Sequence, residues 1–281
     1  MINIKTKEEI EAMAEGGKIL SEVLHTVLAH IKPGVSELEL DAVAEKLIYD
    51  RGAEVGFKKV PGYKYTVCVS TNDVVVHGVP TAYRFKEGDI IGIDCGVFYK
   101  GFHTDMAETI QVQNSKFPPK ARLATDGKIQ NDPPVNALHR QVQAGNENIK
   151  KFLEIGKHAL NEAIKQAKTG SRIGNISKTI QEIVEGAGYS VVRSLVGHGV
   201  GRQLHEEPEV PGFLVKGDID KTPLLRVGTT IAIEVIYNMG KPDVKYSTDD
   251  EWTIKSADGS LSGLFERTVA ITKNGPLILT R

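Results

Sequence analysis

The chain has 281 residues, 40% of them hydrophobic, and its 35 Lys and Arg nearly balance its 36 Asp and Glu, so the formal net charge is −1. This composition excludes a disordered chain, and the balanced charge argues against a protein that binds nucleic acid by neutralising phosphates. No apolar run is long enough for a membrane helix, the N-terminus lacks a signal-peptide core, and Cys68 and Cys95 are too few for a disulfide framework. We therefore expect a cytoplasmic globular protein.

The N-terminal region predicts two helices. The first begins after Thr6, with Glu9 at capping-box spacing, and its apolar stripe continues until Pro33-Gly34. The second begins at Ser36, where the same capping pattern recurs, and ends near Gly52.

Strands follow the two helices. Short strands are expected at 67–69 and 74–76, and a hairpin is predicted from 90–93 and 102–110 around Tyr99-Lys100-Gly101. The second half repeats this plan, with helices predicted at 146–168 and 176–184 and strands at 190–196, 230–237 and 264–272.

An offset of 136 residues indicates an internal duplication, because it places Gly34 on Gly170 and Gly52 on Gly188 together with an apolar stripe. Chance resemblance between two helical hairpins is the alternative, but the coincident turn glycines favour a duplicated helix–helix–strand unit. We therefore predict one α+β domain over the whole chain, with pseudo-twofold halves, a central antiparallel sheet and outer helices. Residues 113–142 are polar and contain two Pro-Pro pairs, which predicts a surface insertion at the junction of the halves.

Two acidic residues occupy positions where a strand would be buried. Asp94 follows Ile91-Gly92-Ile93, and Glu234 follows Ile231-Ala232-Ile233. A lone buried carboxylate costs on the order of several kcal/mol unless it is paired, binds a metal or takes up a proton. For either acid alone, an outward-facing strand residue is the alternative.

The hairpin brings a second carboxylate close to Asp94. Asp94 and Asp105 lie symmetrically about Tyr99-Lys100, so a tight turn would place them opposite each other or one step apart on facing strands. Such carboxylates repel each other, and a cation between them would relieve the repulsion. Glu266 is another acid in an apolar run, although the adjacent Arg267 offers a surface ion pair as an alternative.

Three histidines lie near glycine or acidic residues in short motifs. His77 precedes Gly78, His198 lies within the string GHGVG, and His205 precedes two glutamates. Glycines beside an imidazole indicate a close backbone approach. The GHGVG string lacks the Lys-Ser/Thr of a P-loop, and no GxSxG elbow supports a hydrolase triad. His103 lies two residues from Asp105 and should share its face of the strand.

Four acids and one imidazole form an oxygen-rich set of candidate ligands: Asp94, Asp105, Glu234, Glu266 and His198. Two divalent cations would neutralise the four carboxylates. Mostly oxygen ligands with one histidine favour Mn, Fe(II), Co or Zn over a thiolate-bound structural zinc. Two such ions would hold a hydroxide between them and polarise a substrate carbonyl.

Five motifs, in order along the chain, resemble those of the methionine aminopeptidases of the pita-bread fold, and more closely their type I subgroup. They are HGVP from position 77, GDIIGIDCGVFYKGFHTD from 88, GHGVGRQLHEEP from 197, Ile233-Glu234, and FERT from 265. The resemblance covers nearly the whole chain and implies the pita-bread fold.

The resemblance also implies roles for the metal ligands. Asp94 would bind one ion through both oxygens, and Asp105 and Glu266 would bridge the pair. His198 and Glu234 would complete the second site.

Three catalytic roles are implied in the same way. Glu234 would act as the general base toward the bridging water, His205 would hydrogen-bond the scissile carbonyl, and His77 would contact the amide of the residue after the methionine.

A pocket for the methionine side chain is implied at four residues: Tyr63, Cys68, Leu204 and Trp252. Phe57 and Tyr65 lie in the same stretch, but ordinary packing is the better interpretation for both. Aromatic walls suit a thioether, because sulfur–aromatic contacts contribute about 0.3–1.5 kcal/mol.

The implied activity is that of a metal-dependent aminopeptidase, a hydrolase that removes the initiator methionine from nascent proteins with a small second residue. Its partner would be the N-terminus of a nascent polypeptide, with which transient ribosome association is compatible. Neither nucleic acid nor a membrane is required, and we expect a monomer.

Two alternatives remain. A proline-directed peptidase of the same fold would usually carry a substantial N-terminal domain, whereas here the catalytic half starts within the first few dozen residues. A catalytically inactive pita-bread protein that binds a partner would usually lack metal ligands, whereas all five are present in this sequence.

Overall fold

The computed structural model describes residues 2–113, 137–214 and 218–281. The helices are α1 (Lys7–His30), α2 (Glu37–Asp50), α3 (Ala137–Gln166) and α4 (Ile173–Gly186). The strands are β1 (Glu54–Val55), β2 (Val67–Thr71), β3 (Val74–Val76), β4 (Ile90–Tyr99), β5 (Phe102–Gln111), β6 (Ser190–Val191), β7 (Val196–Gly199), β8 (Glu206–Pro211), β9 (Thr230–Asn238), β10 (Val244–Tyr246), β11 (Ile254–Ser256), β12 (Ser262–Thr272) and β13 (Gly275–Ile278).

The first two helices begin where the capping pattern predicts. The Thr6 hydroxyl accepts a hydrogen bond from Glu9 N (3.3 Å), and the Glu9 carboxylate accepts one from Thr6 N (2.8 Å). Ser36 and Glu39 form the same reciprocal cap at the start of α2. Each cap contributes about 1 kcal/mol by satisfying backbone donors that a helix leaves free at its first turn.

The central sheet is antiparallel, with its strands in the order β1-β4-β5-β12-β9-β7-β8. Helices α1 and α2 pack on the β4–β5 hairpin through a core that includes Leu20, Leu40 and Ile93. Helices α3 and α4 pack on β9 and β12 through residues such as Ile176 and Ile233. Because side chains alternate along a strand, Asp94 and Glu234, which follow Ile93 and Ile233, point to the face opposite the helices.

The predicted duplication is confirmed by the boundaries of the helices. A shift of 136 residues moves α2 (Glu37–Asp50) onto α4 (Ile173–Gly186). Gly34 and Gly170, which precede these helices, both adopt positive φ (92° and 87°). Gly34 N donates to Phe85 O (2.9 Å) and Gly170 N to Leu225 O (3.0 Å), so both turns make equivalent long-range contacts.

The structure corrects several predicted boundaries. Helix α3 begins at Ala137 rather than 146, so the last six residues of the predicted 113–142 insertion have helical backbone; residues 114–136 of that insertion lie outside the described residues. The predicted strand 190–196 is wrong in its middle, since only β6 and the first residue of β7 fall within it. Strand β8 was missed because Pro208 and Pro211 interrupt its pattern, which is tolerated since β8 lies at the sheet edge.

Gly17 of α1 gives a test of the packing between the first helix and the C-terminal strands. A Cβ on Gly17 would lie 2.2 Å from Leu279 O, so Gly17→Ala should lower the free energy of unfolding by about 1–3 kcal/mol. Gly186→Ala is the matched control, because no atom lies within 4 Å of the added Cβ, and we expect a change within about 1 kcal/mol. Urea unfolding measures both, and equal effects would contradict the packing argument.

Candidate metal centre

The β4–β5 hairpin sets the relative position of the first two acids. Lys100 and Gly101 both have positive φ (49° and 85°), as a two-residue hairpin turn requires, and Tyr99 lies opposite Phe102. Asp94 therefore lies opposite Ala107, and Asp105 lies opposite Gly96.

The predicted register, with the two acids opposite or one step apart, is thus wrong: they are two steps apart. The turn is centred between Lys100 and Gly101 rather than between Tyr99 and Lys100. This difference matters, since an offset of one would direct the two carboxylates to opposite faces of the sheet. An offset of two keeps Asp94 and Asp105 on one face, within hydrogen-bonding reach of each other.

Two further acids meet on the neighbouring strands. Glu234 of β9 and Glu266 of β12 are directly opposite in the antiparallel register, a pairing that the sequence pattern did not reveal. Glu266 also lies opposite Ala107, which places it beside the hairpin acids. The Thr268 hydroxyl accepts a hydrogen bond from Asp105 N and donates one to Asp105 O, both at 2.8 Å, and so fixes β5 against β12 next to the site.

His198 completes the cluster from strand β7. Its Nε2 lies 3.6 Å from Glu234 Oε1 and 3.9 Å from Asp105 Oδ2. Its Nδ1 lies 2.9 Å from Gly199 O, so a proton on Nδ1 is held by that carbonyl and Nε2 is free to bind a metal. One ligand atom each from Asp105, His198 and Glu266 lie within 4.8 Å of one another.

Burial makes it unfavourable for all four carboxyl groups of this cluster to be ionised at once. Desolvation raises the pKa of Asp94 to about 7, and burial together with the neighbouring acids raises the pKa of Asp105 and of Glu266. Desolvation raises the pKa of Glu234 as well, and Asp94 adds to the shift. The buried oxygens Asp94 Oδ1 and Glu266 Oε1 have no hydrogen-bond partner. Divalent cations fit this donor set, because they would supply both the missing partners and the positive charge.

Two other predicted histidines lie beside the cluster. His77, which has a positive φ of 54°, and His205 line a cleft of about 660 Å³ together with Glu234. The ring of His205 packs edge-to-face on His198, with centroids 4.4 Å apart. Burial lowers the pKa of His77 to about 4 and that of His205 as well, so both imidazoles are neutral at pH 7.

His103 shares the strand face of Asp105 as expected but does not reach the cavity. Its ring packs on Phe98, with centroids 4.7 Å apart, and it is not among the lining residues of either cavity beside the cluster. We find no direct role for it at the metal centre.

A small cavity of about 90 Å³ adjoins the acids and contains the four predicted pocket residues, Tyr63, Cys68, Leu204 and Trp252. Tyr63 donates to Val67 O (2.8 Å), and Cys68 Sγ donates to the Tyr63 hydroxyl (3.2 Å). The polar atoms of Tyr63 and Cys68 are therefore already paired. The remaining lining combines apolar side chains with the four acids and three histidines.

Two more lining residues were missed by sequence reasoning. Phe57, which we interpreted as ordinary packing, and Val60 both face this cavity. Tyr65 packs against the same cluster without lining the cavity, as expected. Gly96 of β4 makes room for the Phe57 ring, because a Cβ on Gly96 would lie 2.6 Å from that ring. The glycine at position 96 is therefore the sequence feature that could have indicated the position of Phe57.

Comparisons with known proteins identify the family of this chain. The chain matches the model of metallopeptidase family M24 over residues 11–129 and 136–273, and it therefore belongs to that family. Among its relatives it is 40% identical to the methionine aminopeptidase of Clostridium perfringens, over 100% of this chain and 99% of the relative. It is 39% identical to methionine aminopeptidase 1 of Bacillus subtilis over the full length of both. The family resemblance inferred from the motifs is thereby confirmed.

Solved structures give the same result for the fold. The methionine aminopeptidase of Thermotoga maritima superposes with a TM-score of 0.84 at 37% identity, and all of both chains is covered. A prolidase from Pyrococcus furiosus superposes with a TM-score of 0.68 at 24% identity, with 99% of this chain and 65% of that chain covered. The prolidase likeness shows the shared fold alone.

No described helix is long and apolar enough to cross a membrane.

The raised carboxyl pKa values predict a pH dependence for the metal-free protein. A carboxyl group whose folded-state pKa is raised stabilises the fold at low pH, and this stability is lost as pH rises from the unfolded pKa through the folded pKa, about 4 to 7 for Asp94. Over that range the unaltered protein should lose up to about 1.4 kcal/mol per pH unit relative to Asp94→Asn. The histidines are present in both proteins, so their opposite contribution cancels.

Urea unfolding after chelation, at pH 5, 6, 7 and 8, measures the two stability curves. Parallel curves would contradict the raised pKa of Asp94. Added Mn²⁺ should stabilise the unaltered protein more at pH 8 than at pH 6, because the ligands must lose their protons to bind a metal.

Proposed function

We propose that this protein is a metal-dependent methionine aminopeptidase, which removes the initiator methionine from nascent proteins whose second residue is small. One observation supports this above all: the four acids and His198 line the same small cavity as the aromatic rings of Phe57, Tyr63 and Trp252. A metallopeptidase acts on peptides, and the aromatic and aliphatic walls of this cavity suit an apolar side chain.

The metal ligands in this proposal are the five clustered side chains, Asp94, Asp105, His198, Glu234 and Glu266. They would hold two divalent ions, Mn, Fe(II), Co or Zn, whose charge offsets that of the carboxylates. When bound, such ions act as Lewis acids and lower the pKa of a coordinated water. The four acids would contact the ions from β4, β5, β9 and β12, and His198 from β7 of the same sheet, in line with the distances from its Nε2 to Glu234 and Asp105.

The remaining chemistry is assigned to three side chains. Glu234 would accept the proton of the attacking water and deliver it to the leaving amine. His205 would donate a hydrogen bond to the oxygen of the scissile carbonyl, and His77 would contact the amide of the second residue. Both imidazoles are neutral at pH 7 because burial lowers their pKa, so each offers one N–H donor without repelling the metal ions.

The small cavity would select methionine. Phe57, Tyr63 and Trp252 offer aromatic edges and faces to a thioether, and the rings of Tyr63 and Trp252 meet edge-to-face with centroids 5.2 Å apart. Asp250 accepts hydrogen bonds from Trp252 N (2.7 Å) and Thr253 N (2.6 Å), which holds that wall in place. Leu204 closes the cavity beside His205.

We further propose that the chain acts as one catalytic domain and as a monomer in the cytoplasm, on nascent chains that transiently bring it to the ribosome. A proline-directed peptidase would need room for a ring at the second position rather than an apolar first pocket. An inactive binding protein would have no need for five intact ligands.

Metal reconstitution tests the activity. The chelated protein should regain Met release from Met-Ala-Ser with Mn²⁺, Fe²⁺, Co²⁺ or Zn²⁺, and it should cleave Ala-Pro peptides far more slowly. Met-Leu-Ser should be a poor substrate, since the proposed activity requires a small second residue. Preferential cleavage of Ala-Pro would instead favour the proline-directed alternative.

Substitution of ligands tests the metal centre. Asp105→Asn and His198→Ala should each lower kcat/KM on Met-Ala-Ser by about 10²-fold or more, since loss of even an outer partner of a ligand costs about 10–100-fold. Asp50→Asn is the matched control, because that carboxylate is exposed and pairs only with Lys46. Circular dichroism should show that all three variants are folded, and full activity in either ligand variant would rule out the assigned centre.

A further inference from the structure

Lys5 and Glu206 form an ion pair that is almost completely buried. Lys5 Nζ lies 2.5 Å from Glu206 Oε2, and the two side chains are only 1% and 3% exposed. Nζ also donates to Asn3 O (3.2 Å), and Glu206 Oε1 accepts from Gln203 N (3.2 Å). Both charged groups thus have additional hydrogen-bond partners, which is the condition under which a buried ion pair is tolerated.

The N-terminal segment is itself fixed at Lys5. Lys5 N donates to Gly228 O (2.8 Å), just before α1 begins. The lysine side chain then lies directly on the backbone of Gly201, where an added Cβ would be 2.4 Å from Lys5 Cε. His103 N donates to Gly201 O (2.7 Å) from the other side. Residues 201–206, which we call the 201–206 loop, follow β7 and end at Glu206, the first residue of β8. They are therefore held between Lys5 and strand β5.

This 201–206 loop carries His205. The His205 ring packs edge-to-face on His198. His205 directly precedes Glu206, the first residue of β8, so the buried pair of Glu206 with Lys5 fixes the chain next to His205. Asn3 of the same N-terminal segment lines the cleft that contains His205.

The other ion pair on the loop is a weaker anchor. Arg202 pairs with Glu9, but its side chain is 60% exposed. Water and salt screen such a pair, and exposed pairs contribute little. Of these two ion pairs, the one with Lys5 is therefore the buried anchor.

We propose that Lys5 is a positioning residue of the active site: through its buried ion pair with Glu206 it holds the 201–206 loop so that His205 faces the scissile carbonyl. This inference rests on the proposed function, because His205 takes its role from that function.

The first measurement does not depend on activity. In the full-length, metal-loaded protein, Lys5→Met should increase amide hydrogen exchange in residues 201–206 at least about tenfold, while exchange in β4 stays unchanged. Lys7→Met is the matched control, because the Lys7 side chain is 84% exposed and pairs with Glu11 on its own helix. Unchanged exchange in the loop of the Lys5→Met variant would overturn the proposal.

The second measurement separates positioning from stability. Lys5→Met should lower kcat on Met-Ala-Ser roughly 10²-fold per metal-loaded molecule, with metal affinity unchanged, as expected when a catalytic donor is displaced by about 1 Å. In a His205→Ala background the same substitution should cause no further loss, because the effect acts through His205. Additive losses would overturn the proposal.

A double variant covers the case in which Lys5→Met does not fold. Lys5→Met with Glu206→Leu replaces the ion pair by apolar side chains, a change that folds well in other proteins. Its kcat should remain low, and recovery to within twofold of the unaltered enzyme would show a purely structural pair. If the unaltered enzyme released no methionine, the proposed function would fail, whereas the exchange measurement would still decide the anchoring.

Discussion

Mutual repulsion among four buried carboxylates is the constraint on which this structure depends. Asp94, Asp105, Glu234 and Glu266 line one cavity, and one buried oxygen each of Asp94 and Glu266 has no hydrogen-bond partner. The protein can keep them together only as partly protonated acids or around cations. The rest of the fold holds the four side chains at that distance: helices bury the opposite face of the sheet, and the Thr268 hydroxyl fixes the strand that carries Asp105.

The two duplicated halves correspond in their strands but differ in the side chains that their second helices bury. Asp94 and Glu234 are each the fifth residue of corresponding strands, β4 and β9. Helix α2, however, has buried acids at Glu37 and Asp41 where the offset of 136 places Ile173 and Ser177 in α4. Asp41 accepts hydrogen bonds from Thr66 N and Val67 N, at the start of the strand that bears Cys68. Helix α2 of the first half thus holds the strand that carries Cys68, one wall of the small cavity.

Some side chains of the site are carried by strands and others by a loop. Ladder hydrogen bonds fix all five proposed ligands in adjacent strands, where register leaves little freedom. Leu204 and His205, by contrast, lie in the loop between β7 and β8. The proposed specificity and oxyanion contacts are therefore more open to change than the proposed metal ligands, as is usual for loops carried on a rigid scaffold.

The sequence by itself determined the local features: the two capped helices, the tight hairpin, the identity of the acids and histidines, and the duplication. Each of these features depends on residues that are close together in the chain, so periodicity and capping chemistry predict it directly. Only the tertiary structure decided the two-step offset of Asp94 and Asp105, the opposition of Glu234 and Glu266, the place of Phe57 and Val60 in the pocket, and the ion pair of Lys5 with Glu206. These features depend on strand register and on packing between segments that are distant in the chain. No local sequence pattern determines which of several possible strand pairings buries the most surface while every polar group keeps a hydrogen-bond partner.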